Sequence, residues 1–176
     1  KAAIEDTTLT DYVSKVPVKK GDFFFIESGT LHAICKGILL AEVQESSNTT
    51  YRIYDYNRVG NDGKPRELHV EDGAAVTKLE KYTQPDFCKG VSLDTPERKL
   101  LADCPLFKVW KLDVNGEICG SADENSFVSL LIMDGNGTLE VCGETVSLTK
   151  GESIFIPANA GEYKISGNME IIETRI

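Results

Sequence analysis

Alternating apolar and polar residues over strand-length segments dominate the chain and predict an all-β protein. In the first half, such segments cover residues 22–27, 31–35, 38–44 and 49–54. In the second half, they cover residues 106–114, 127–133, 138–142, 145–148, 153–156, 162–165 and 169–173. Turn-forming residues separate these segments at intervals of about 8–12 residues, which is the spacing typical of a sandwich or barrel.

Glycine and asparagine mark the predicted turns, because these residues accept a positive φ at little cost. The turns fall at residues 134–137, 143–144, 159–161 and 166–168. Helical periodicity is confined to one turn near residues 10–15 and to residues 67–79, where Gly73 weakens it. Residues 82–98 contain two prolines and a glycine and predict a connection or an edge strand between two halves, so the predicted domains are residues 1–98 and 99–176.

A weak internal repeat links residues 18–29 to residues 148–159. Both copies read as an apolar residue, a variable residue, lysine, glycine and an acid, followed by an alternating strand and a tight turn. The glycine would form a hairpin corner, and the acid would begin the next strand. The repeat predicts two β units of similar build.

Charge and composition exclude several classes of protein. The 176 residues include 19 Lys and Arg against 28 Asp and Glu, a formal net charge of −9 that argues against binding to nucleic acid. The longest apolar runs are far shorter than the ~18 residues of a membrane span. An anionic small substrate would require a local cluster of cations.

Cysteine usage and the first residues bear on the cellular compartment. Five cysteines without a CxxC pair are typical of reduced thiols that mostly fill the core of a cytoplasmic protein. Residues 1–13 lack the features of a signal peptide and do not begin with Met, so we expect a fragment or a processed product.

Residues 21–32 carry the pattern G-x5-[PE]-x-G-x2-H, which resembles the second motif of a cupin, a double-stranded β-helix barrel. The longer stretch of residues 19–70, which includes GTLHAI and EVQESSNTTYRIYDYNR, resembles the type I mannose-6-phosphate isomerases, in particular their short bacterial form. The resemblance continues more weakly to Ile176. It implies an all-β fold of two cupin-like, jelly-roll units with minor helix, of which the first is incomplete in this chain.

His32 has two interpretations from its sequence context. It follows a predicted strand and turn and has apolar neighbours on both sides. This context fits a core histidine whose ring nitrogens are hydrogen-bonded, and it also fits a zinc ligand. The resemblance implies a ligand to one zinc ion, with the remaining ligands expected from a segment preceding Lys1. The other histidine, His69, lies in a polar, helical segment and is predicted to be solvated.

Arg52 and Glu42 are the candidate catalytic residues. Alternation places Arg52 on one face of an aromatic strand, where it would either form an ion pair with Asp55 or Glu42 or project a guanidinium toward substrate. Glu42 would be either capped by Arg52 or poised as a general base. The resemblance implies active-site roles for both, and the residue that moves the proton stays open.

A sugar phosphate also requires cations, and Arg58, Lys64 and Arg66 follow Arg52 in a loop rich in Gly, Asn and Pro. Lys64 is predicted to be a solvated hairpin tip, whereas the resemblance places Arg58 in the substrate region. Asn48 and Thr50 are further candidates for polar lining of the site.

The resemblance implies zinc-dependent interconversion of mannose 6-phosphate and fructose 6-phosphate, a phosphorylated hexose, by the parent protein. The chain by itself is expected to lack a complete site and to be inactive. The alternative is a metal-free cupin that binds sugar, or has a structural role, without turnover. The second unit has no histidine, which favours a non-catalytic barrel with Trp110 in its core.

Overall fold

The computed structural model describes residues 1–87 and 97–176. Contacts divide the chain into unit 1, Lys1–Gln84, and unit 2, Pro85–Ile176. The domain limits at residues 98 and 99 stay a prediction. Most of the predicted connection, and Cys88 within it, lies outside the described residues.

Unit 2 is a six-stranded antiparallel sheet in which β6 pairs with β2 on one side and with β3 on the other. Strand β1 pairs with β2, and the far edge of β3 pairs first with β5 and then with β4. The strands are β1 Arg98–Asp103, β2 Lys108–Ala122, β3 Val128–Val141, β4 Glu144–Thr149, β5 Ser153–Ile156 and β6 Gly161–Arg175.

One face of this sheet forms the core of unit 2. Alternate residues of β6 are buried from Tyr163 to Glu173 except at Gly167, and alternate residues of β2 are buried from Trp110 to Val114, as the period of a strand requires. Each buried aliphatic side chain stabilises the fold by about 1.5–3 kcal/mol relative to exposure. The all-β prediction is therefore confirmed for this unit, and so is the burial of Trp110.

Two of the four predicted turns lie inside strands. Residues 134–137 belong to β3 and residues 166–168 belong to β6, so each strand joins two segments that were predicted separately. In register, Asn168 pairs with both Asn115 and Asn136, and Gly167 pairs with both Gly116 and Gly137.

The resulting row of glycines distorts three strands together without ending them. Gly116 has a φ of 110° and Gly167 a φ of 145°, both outside strand geometry, and β3 shifts register between Ile132 and Asp134. A Cβ on Gly167 would lie 2.6 Å from the carbonyl oxygen of Asn136. Glycine here permits the backbones of neighbouring strands to approach closely. The turn prediction therefore identified the positive φ correctly, but the positive φ does not form a turn.

The repeated turn is confirmed in both units. In unit 2, the amide of Thr149 donates to a carboxylate oxygen of Glu152 at 2.7 Å. In unit 1, the amide of Lys19 donates to a carboxylate oxygen of Asp22 at 2.9 Å. The glycine of each turn has a φ near 90°. Four consecutive residues therefore determine this corner in both places.

The described residues of unit 1 form two short helices, α1 Ala2–Glu5 and α2 Val70–Val76, and a 3₁₀ turn, Leu9–Asp11, but no strand. The four strands predicted there are wrong, because a strand requires a ladder of hydrogen bonds to a neighbouring strand and the described residues of unit 1 contain no such ladder. An isolated bridge joins Val59 to Pro65. Apolar side chains consequently stay exposed, including Leu39 at 97%.

Helix α2 packs closely against the segment that carries Ile53. Gly73 and Ile53 are both buried, and a Cβ on Gly73 would overlap Cγ2 of Ile53. Gly73 weakens the helix as predicted, yet it provides the space in which the helix and the extended segment meet. Among the residues that the structure describes, no helix is long and apolar enough to cross a membrane.

The cysteines only partly follow their prediction. Cys35, Cys104, Cys119 and Cys142 are free thiols, as expected. Three of them are exposed and Cys104 is half-buried, so the expectation that most fill the core is wrong. In unit 2, the interior positions of the strands are already occupied by aliphatic and aromatic side chains.

Candidate functional site

Arg52 is anchored in unit 1 by its backbone and by one guanidinium bond. The amide of His69 donates to the carbonyl oxygen of Arg52 at 2.7 Å, and the amide of Arg52 donates to Nδ1 of His69 at 3.2 Å. The Nη1 group of Arg52 donates to the carbonyl oxygen of Glu67 at 3.5 Å. The half-buried guanidinium therefore has donors to spare for a ligand.

This arrangement corrects two expectations. Arg52 forms no ion pair with Asp55 or Glu42 within the described part of the chain, so the structural interpretation of Arg52 is wrong in that form. His69 is not a freely solvated residue, because its ring accepts from Arg52 and lies edge-on to the ring of Tyr51 at 6.1 Å. His69 precedes α2, and its position orients the Arg52 backbone.

His32 is exposed, which rules out the core-histidine interpretation. Its Nδ1 lies 2.9 Å from the carbonyl oxygen of Thr30. Because a carbonyl only accepts, Nδ1 carries the proton in this contact, and Nε2 of the neutral ring keeps its lone pair. Carbonyl contacts of this kind orient metal-binding histidines, so the geometry of His32 is compatible with a role as one ligand of a zinc ion.

The other predicted site residues are exposed and separate. Glu42, Asn48 and Thr50 lie on exposed backbone, and within residues 1–87 none of them bonds to His32 or Arg52. The structure also brings together no group of three or more His, Cys, Asp or Glu side chains suited to a metal ion in the ranges it describes. The roles proposed for Glu42, Asn48 and Thr50 remain predictions.

Asp55 is the centre of a charged cluster in unit 1, and the sequence analysis missed it as a site residue. Its side chain is 7% exposed and lies between Arg58 and Arg66. Nε of Arg66 donates to Oδ2 at 2.7 Å, and Nη2 of Arg58 donates to Oδ1 at 2.6 Å. The Arg66 hydrogen bond, followed by that of Arg58, lowers the pKa of Asp55 far below its usual range.

Two cavities accompany these features. A cavity of about 220 Å³ is lined by Arg58, Val59, Gly60 and Arg66. A larger one, of about 560 Å³, lies in unit 2 along the glycine row and is lined by asparagines and three acids. A sugar phosphate is an anion, so the smaller, cationic cavity is the better match for its charged end.

Unit 2 encloses a second charged cluster among its core residues. Oε1 of buried Glu173 accepts from Nη2 of Arg98 at 2.7 Å and from Nε of Arg175 at 2.6 Å. The hydroxyl of Tyr163 lies 3.4 Å from Oε2 of Glu173 and accepts from Nη2 of Arg175 at 2.9 Å. Burial, and then the charge of Glu173, raises the pKa of Tyr163 to about 12.

The comparisons with known proteins agree with the resemblance. A family model described as "Mannose-6-phosphate isomerase, cupin domain" matches residues 97–176. The chain is 36% identical over 167 residues to putative mannose-6-phosphate isomerase YvyI of Bacillus subtilis, covering 92% of this chain and 51% of that protein. The chain belongs to the mannose-6-phosphate isomerase family.

Further members of this family support the assignment. The mannose-6-phosphate isomerase of Streptococcus mutans is 35% identical over 160 residues, covering 91% of this chain and 50% of that protein. The crystal structure of the mannose 6-phosphate isomerase from Bacillus subtilis matches with a TM-score of 0.64 at 29% identity, over 74% of this chain and 41% of that one. The cupin fold class is confirmed. The chain spans about half the length of the curated relatives it matches.

Three residues that shape the candidate site escaped the sequence analysis as site residues: Asp55, Arg66 and His69. Alternation contained a signal for Asp55, because it shares a face with Ile53 and therefore falls on the buried side. A buried aspartate calls for cationic partners, and Arg58, Lys64 and Arg66 are the cations in the following loop. His69 gave no such signal, since its contacts depend on how α2 meets the Arg52 segment.

Proposed function

We propose that this chain is part of a zinc-dependent isomerase that interconverts mannose 6-phosphate and fructose 6-phosphate. The observation that carries the proposal is the similarity to proteins named mannose-6-phosphate isomerases over 91–92% of the chain. The cationic residues of unit 1 support it, because they provide charge for a phosphorylated substrate in a chain whose net charge is −9.

The proposed reaction moves a proton between the first two carbons of the sugar through an enediol intermediate. Negative charge that develops on the oxygens would be stabilised by the guanidinium of Arg52, whose backbone is held by His69. The exposed carboxylate of Glu42 would carry the proton or position the sugar. Asn48 and Thr50 would line the polar part of the site.

His32 is the proposed zinc ligand of this chain. Its contact with Thr30 leaves Nε2 available, but one imidazole is not a zinc site, which usually has three protein ligands. Within residues 1–87 and 97–176 no group of three or more His, Cys, Asp or Glu side chains meets, so the proposal assigns one ligand, His32, to the described part of this chain. The chemistry that zinc supplies in such a site is polarisation of the carbonyl oxygen.

Zinc content and coupled turnover of mannose 6-phosphate test the proposal on this chain and on the complete gene product. We expect the complete product to bind zinc and turn over, and the 176-residue chain to bind zinc feebly without useful turnover. In the complete product, Arg52→Ala should lower kcat by a factor of about 100 or more while zinc content and fold persist. Lys36→Ala, which removes an exposed cation from the same unit, should leave turnover unchanged.

The second candidate is a metal-free cupin that binds sugar, or has a structural role, without turnover. The scattered positions of Glu42, Asn48 and Thr50 favour it, because an enzyme site requires convergent groups. If the complete product holds zinc yet does not isomerise the sugar, the isomerase proposal is wrong. If it neither holds zinc nor isomerises the sugar, this candidate stands.

A further inference from the structure

Helix α2 is bonded at both ends to segments that carry proposed site residues. The helix spans Val70–Val76, with His69 as its N-cap. Its first end contacts the segment of Arg52, and the residues just after its last turn contact the turn that precedes His32. The positions of Arg52 and His32 therefore both depend on one element of unit 1.

At the first end, His69 binds both backbone groups of Arg52. Its amide donates to the carbonyl oxygen of Arg52 at 2.7 Å, and its Nδ1 accepts from the amide of Arg52 at 3.2 Å. The ring thus takes the place of the carbonyl that a neighbouring strand offers in an antiparallel pair. By comparison, the bond from the guanidinium to the carbonyl oxygen of Glu67 is long, at 3.5 Å. The backbone pair therefore determines where the Arg52 side chain begins.

Beyond the last turn of α2, the chain is bonded to the turn that orients His32. The amide of Lys78 donates to the carbonyl oxygen of Gly29 at 2.8 Å. Gly29 has a φ of 85°, and a Cβ there would lie 2.5 Å from the carbonyl oxygen of Val76, so this close contact requires glycine. The next residue, Thr30, carries the carbonyl oxygen that Nδ1 of His32 contacts at 2.9 Å. The orientation of His32 therefore depends on a turn that is attached to the end of α2.

The middle of α2 connects these two ends. The amide of Gly73 donates to the carbonyl oxygen of His69 at 2.8 Å, and the carbonyl oxygen of Gly73 accepts from the amide of Thr77 at 3.0 Å and from its hydroxyl at 2.6 Å. Gly73 also packs against Ile53, the residue after Arg52. A helix of seven residues is not stable by itself, so these contacts hold it in place. A displacement at Gly73 would therefore move both ends.

We propose that α2 sets the positions of Arg52 and His32 relative to each other, with His69 as the positioning residue of Arg52 and the amide of Lys78 as the positioning group of the His32 turn. Groups that act on one substrate must be held to within a fraction of an ångström, and in this chain bonds to one helix provide that constraint. The attachment itself is a property of the chain, whereas its effect on zinc and turnover rests on the proposed function.

Amide hydrogen exchange of the 176-residue chain, followed residue by residue with NMR, tests the first end without zinc or substrate. His69→Leu removes the acceptor of the Arg52 amide, and we expect that amide to exchange about tenfold faster or more. In His69→Asn the rate should return to within about threefold, because Oδ1 of asparagine is attached to Cγ as Nδ1 of histidine is. Unchanged exchange in His69→Leu would overturn the role of His69. His69→Gln, whose acceptor is one bond further from the backbone, replaces the leucine variant if that variant does not fold.

Turnover by the complete gene product distinguishes positioning from a general loss of structure. Arg52 is proposed to act on charge that develops in the transition state, so His69→Leu should lower kcat about tenfold and change KM less than about twofold. His69→Asn should recover most of this loss. An equal loss of kcat in the leucine and asparagine variants would refute positioning through Nδ1.

A proline tests the second end, because it removes the amide of Lys78 and is common just after a helix. In Lys78→Pro, the amide of Thr30, which donates to the carbonyl oxygen of Glu27 at 3.0 Å, should exchange about tenfold faster, and the complete gene product should bind zinc about tenfold more weakly. The matched control is Leu79→Pro, since Leu79 is 95% exposed and its amide makes no hydrogen bond among the residues that the structure describes. It should change both quantities less than about twofold. Equal effects of the two prolines would overturn the role of the Lys78 amide.

Gly73→Ala tests whether the two ends depend on one element. The added methyl group would overlap Cγ2 of Ile53 and displace α2, so exchange should become about fivefold faster or more at both Arg52 and Thr30. Ala75→Ser, at an exposed position of the same helix, is the control and should alter neither rate more than about twofold. Faster exchange at Arg52 alone would show that the ends are held independently and would refute a shared element.

The exchange measurements stay distinct from the isomerase test. If the exchange rates follow this pattern but the complete gene product does not isomerise the sugar, the proposed function is wrong and the positioning role of α2 stands. If the complete product isomerises the sugar while its kcat does not respond to His69→Leu and its zinc affinity does not respond to Lys78→Pro, the positioning role is wrong and the function stands.

Discussion

Gly120 leaves the space that the ring of Tyr163 occupies on the neighbouring strand. The two residues are paired in register between β2 and β6, and a Cβ on Gly120 would lie 2.8 Å from Cε2 of Tyr163. The same Cβ would come closer still to Cζ and the hydroxyl oxygen. The position of the hydroxyl beside Glu173 therefore depends on an absent side chain across the sheet.

Gly120→Ala should destabilise unit 2 by roughly 1–3 kcal/mol, because the methyl group displaces the Tyr163 ring from its place in the core. Urea unfolding followed by tyrosine and tryptophan fluorescence measures the change. The control is Ser121→Ala on the adjacent, exposed residue, which should cost less than about 0.5 kcal/mol. Equal stability of the two variants would contradict the packing argument.

Glu173→Gln should destabilise unit 2 by about 2–4 kcal/mol. The buried carboxylate serves Arg98 and Arg175 together, and a neutral amide leaves both cations without their partner. Denaturant midpoints measure the effect. Asp103→Asn is the comparison, because it removes the exposed ion pair with Lys108 and should cost less than about 1 kcal/mol. A smaller loss for Glu173→Gln than for Asp103→Asn would show that the buried cluster contributes little.

Stability should fall as pH rises from about 10 to about 12, in part through Tyr163. Its pKa is raised to about 12 in the folded state, above the ordinary value near 10, so its contribution is complete below pH 10 and is lost as the folded tyrosine ionises. The phenolate would face the Glu173 carboxylate, with Arg98 and Arg175 beside them. The free energy of unfolding at pH 8 and pH 11.5 measures the loss.

Tyr163→Phe identifies the share that belongs to this residue. The variant cannot ionise there, so its stability should fall less over the same pH interval, by about 1–3 kcal/mol. Lysine titration affects both proteins alike and cancels in the difference. Parallel pH profiles of the two proteins would assign the loss to other groups.

Gly167→Ala should cost about 3 kcal/mol or more, since the new methyl group would meet Asn136 at 2.6 Å and Cα of Gly137 at 2.7 Å. Gly143→Ala provides the control, because Gly143 also has a positive φ, of 80°, but nothing lies within 4 Å of its Cβ position. It should cost about 1–2 kcal/mol from backbone strain alone. Thermal unfolding of both variants separates strain from steric overlap.

Local features were predictable where a few consecutive residues determine the structure. The corner at residues 19–22 and its counterpart at residues 149–152 were recognised because the glycine and the acid provide both the φ and the amide bond. The strands of unit 1 were not predicted correctly. Alternation indicates which face of a segment is apolar, but it does not show whether a neighbouring strand is present to pair with it. The turn predicted at residues 166–168 was wrong for a related reason. A positive φ occurs both in turns and where the backbones of neighbouring strands come close together, as they do at Gly167.

The candidate site was predictable only as a set of residue types. His32 is exposed and Arg52 retains free donors, but the contacts that hold them come from Thr30 and His69. Those contacts depend on tertiary placement, which a spacing pattern does not contain. Asp55 lay within reach of sequence reasoning, because a carboxylate on the same face as buried Ile53 calls for cationic partners.

The central position of β6 also has a consequence for synthesis. Strands β2 and β3 do not pair with each other, and each forms its longest ladder with β6. Until residues 161–175 have emerged from the ribosome, β2 and β3 each have an unpaired edge. Such edges can bind chaperones or pair with other chains and aggregate. The sheet of unit 2 can therefore form completely only after β6 has been synthesised.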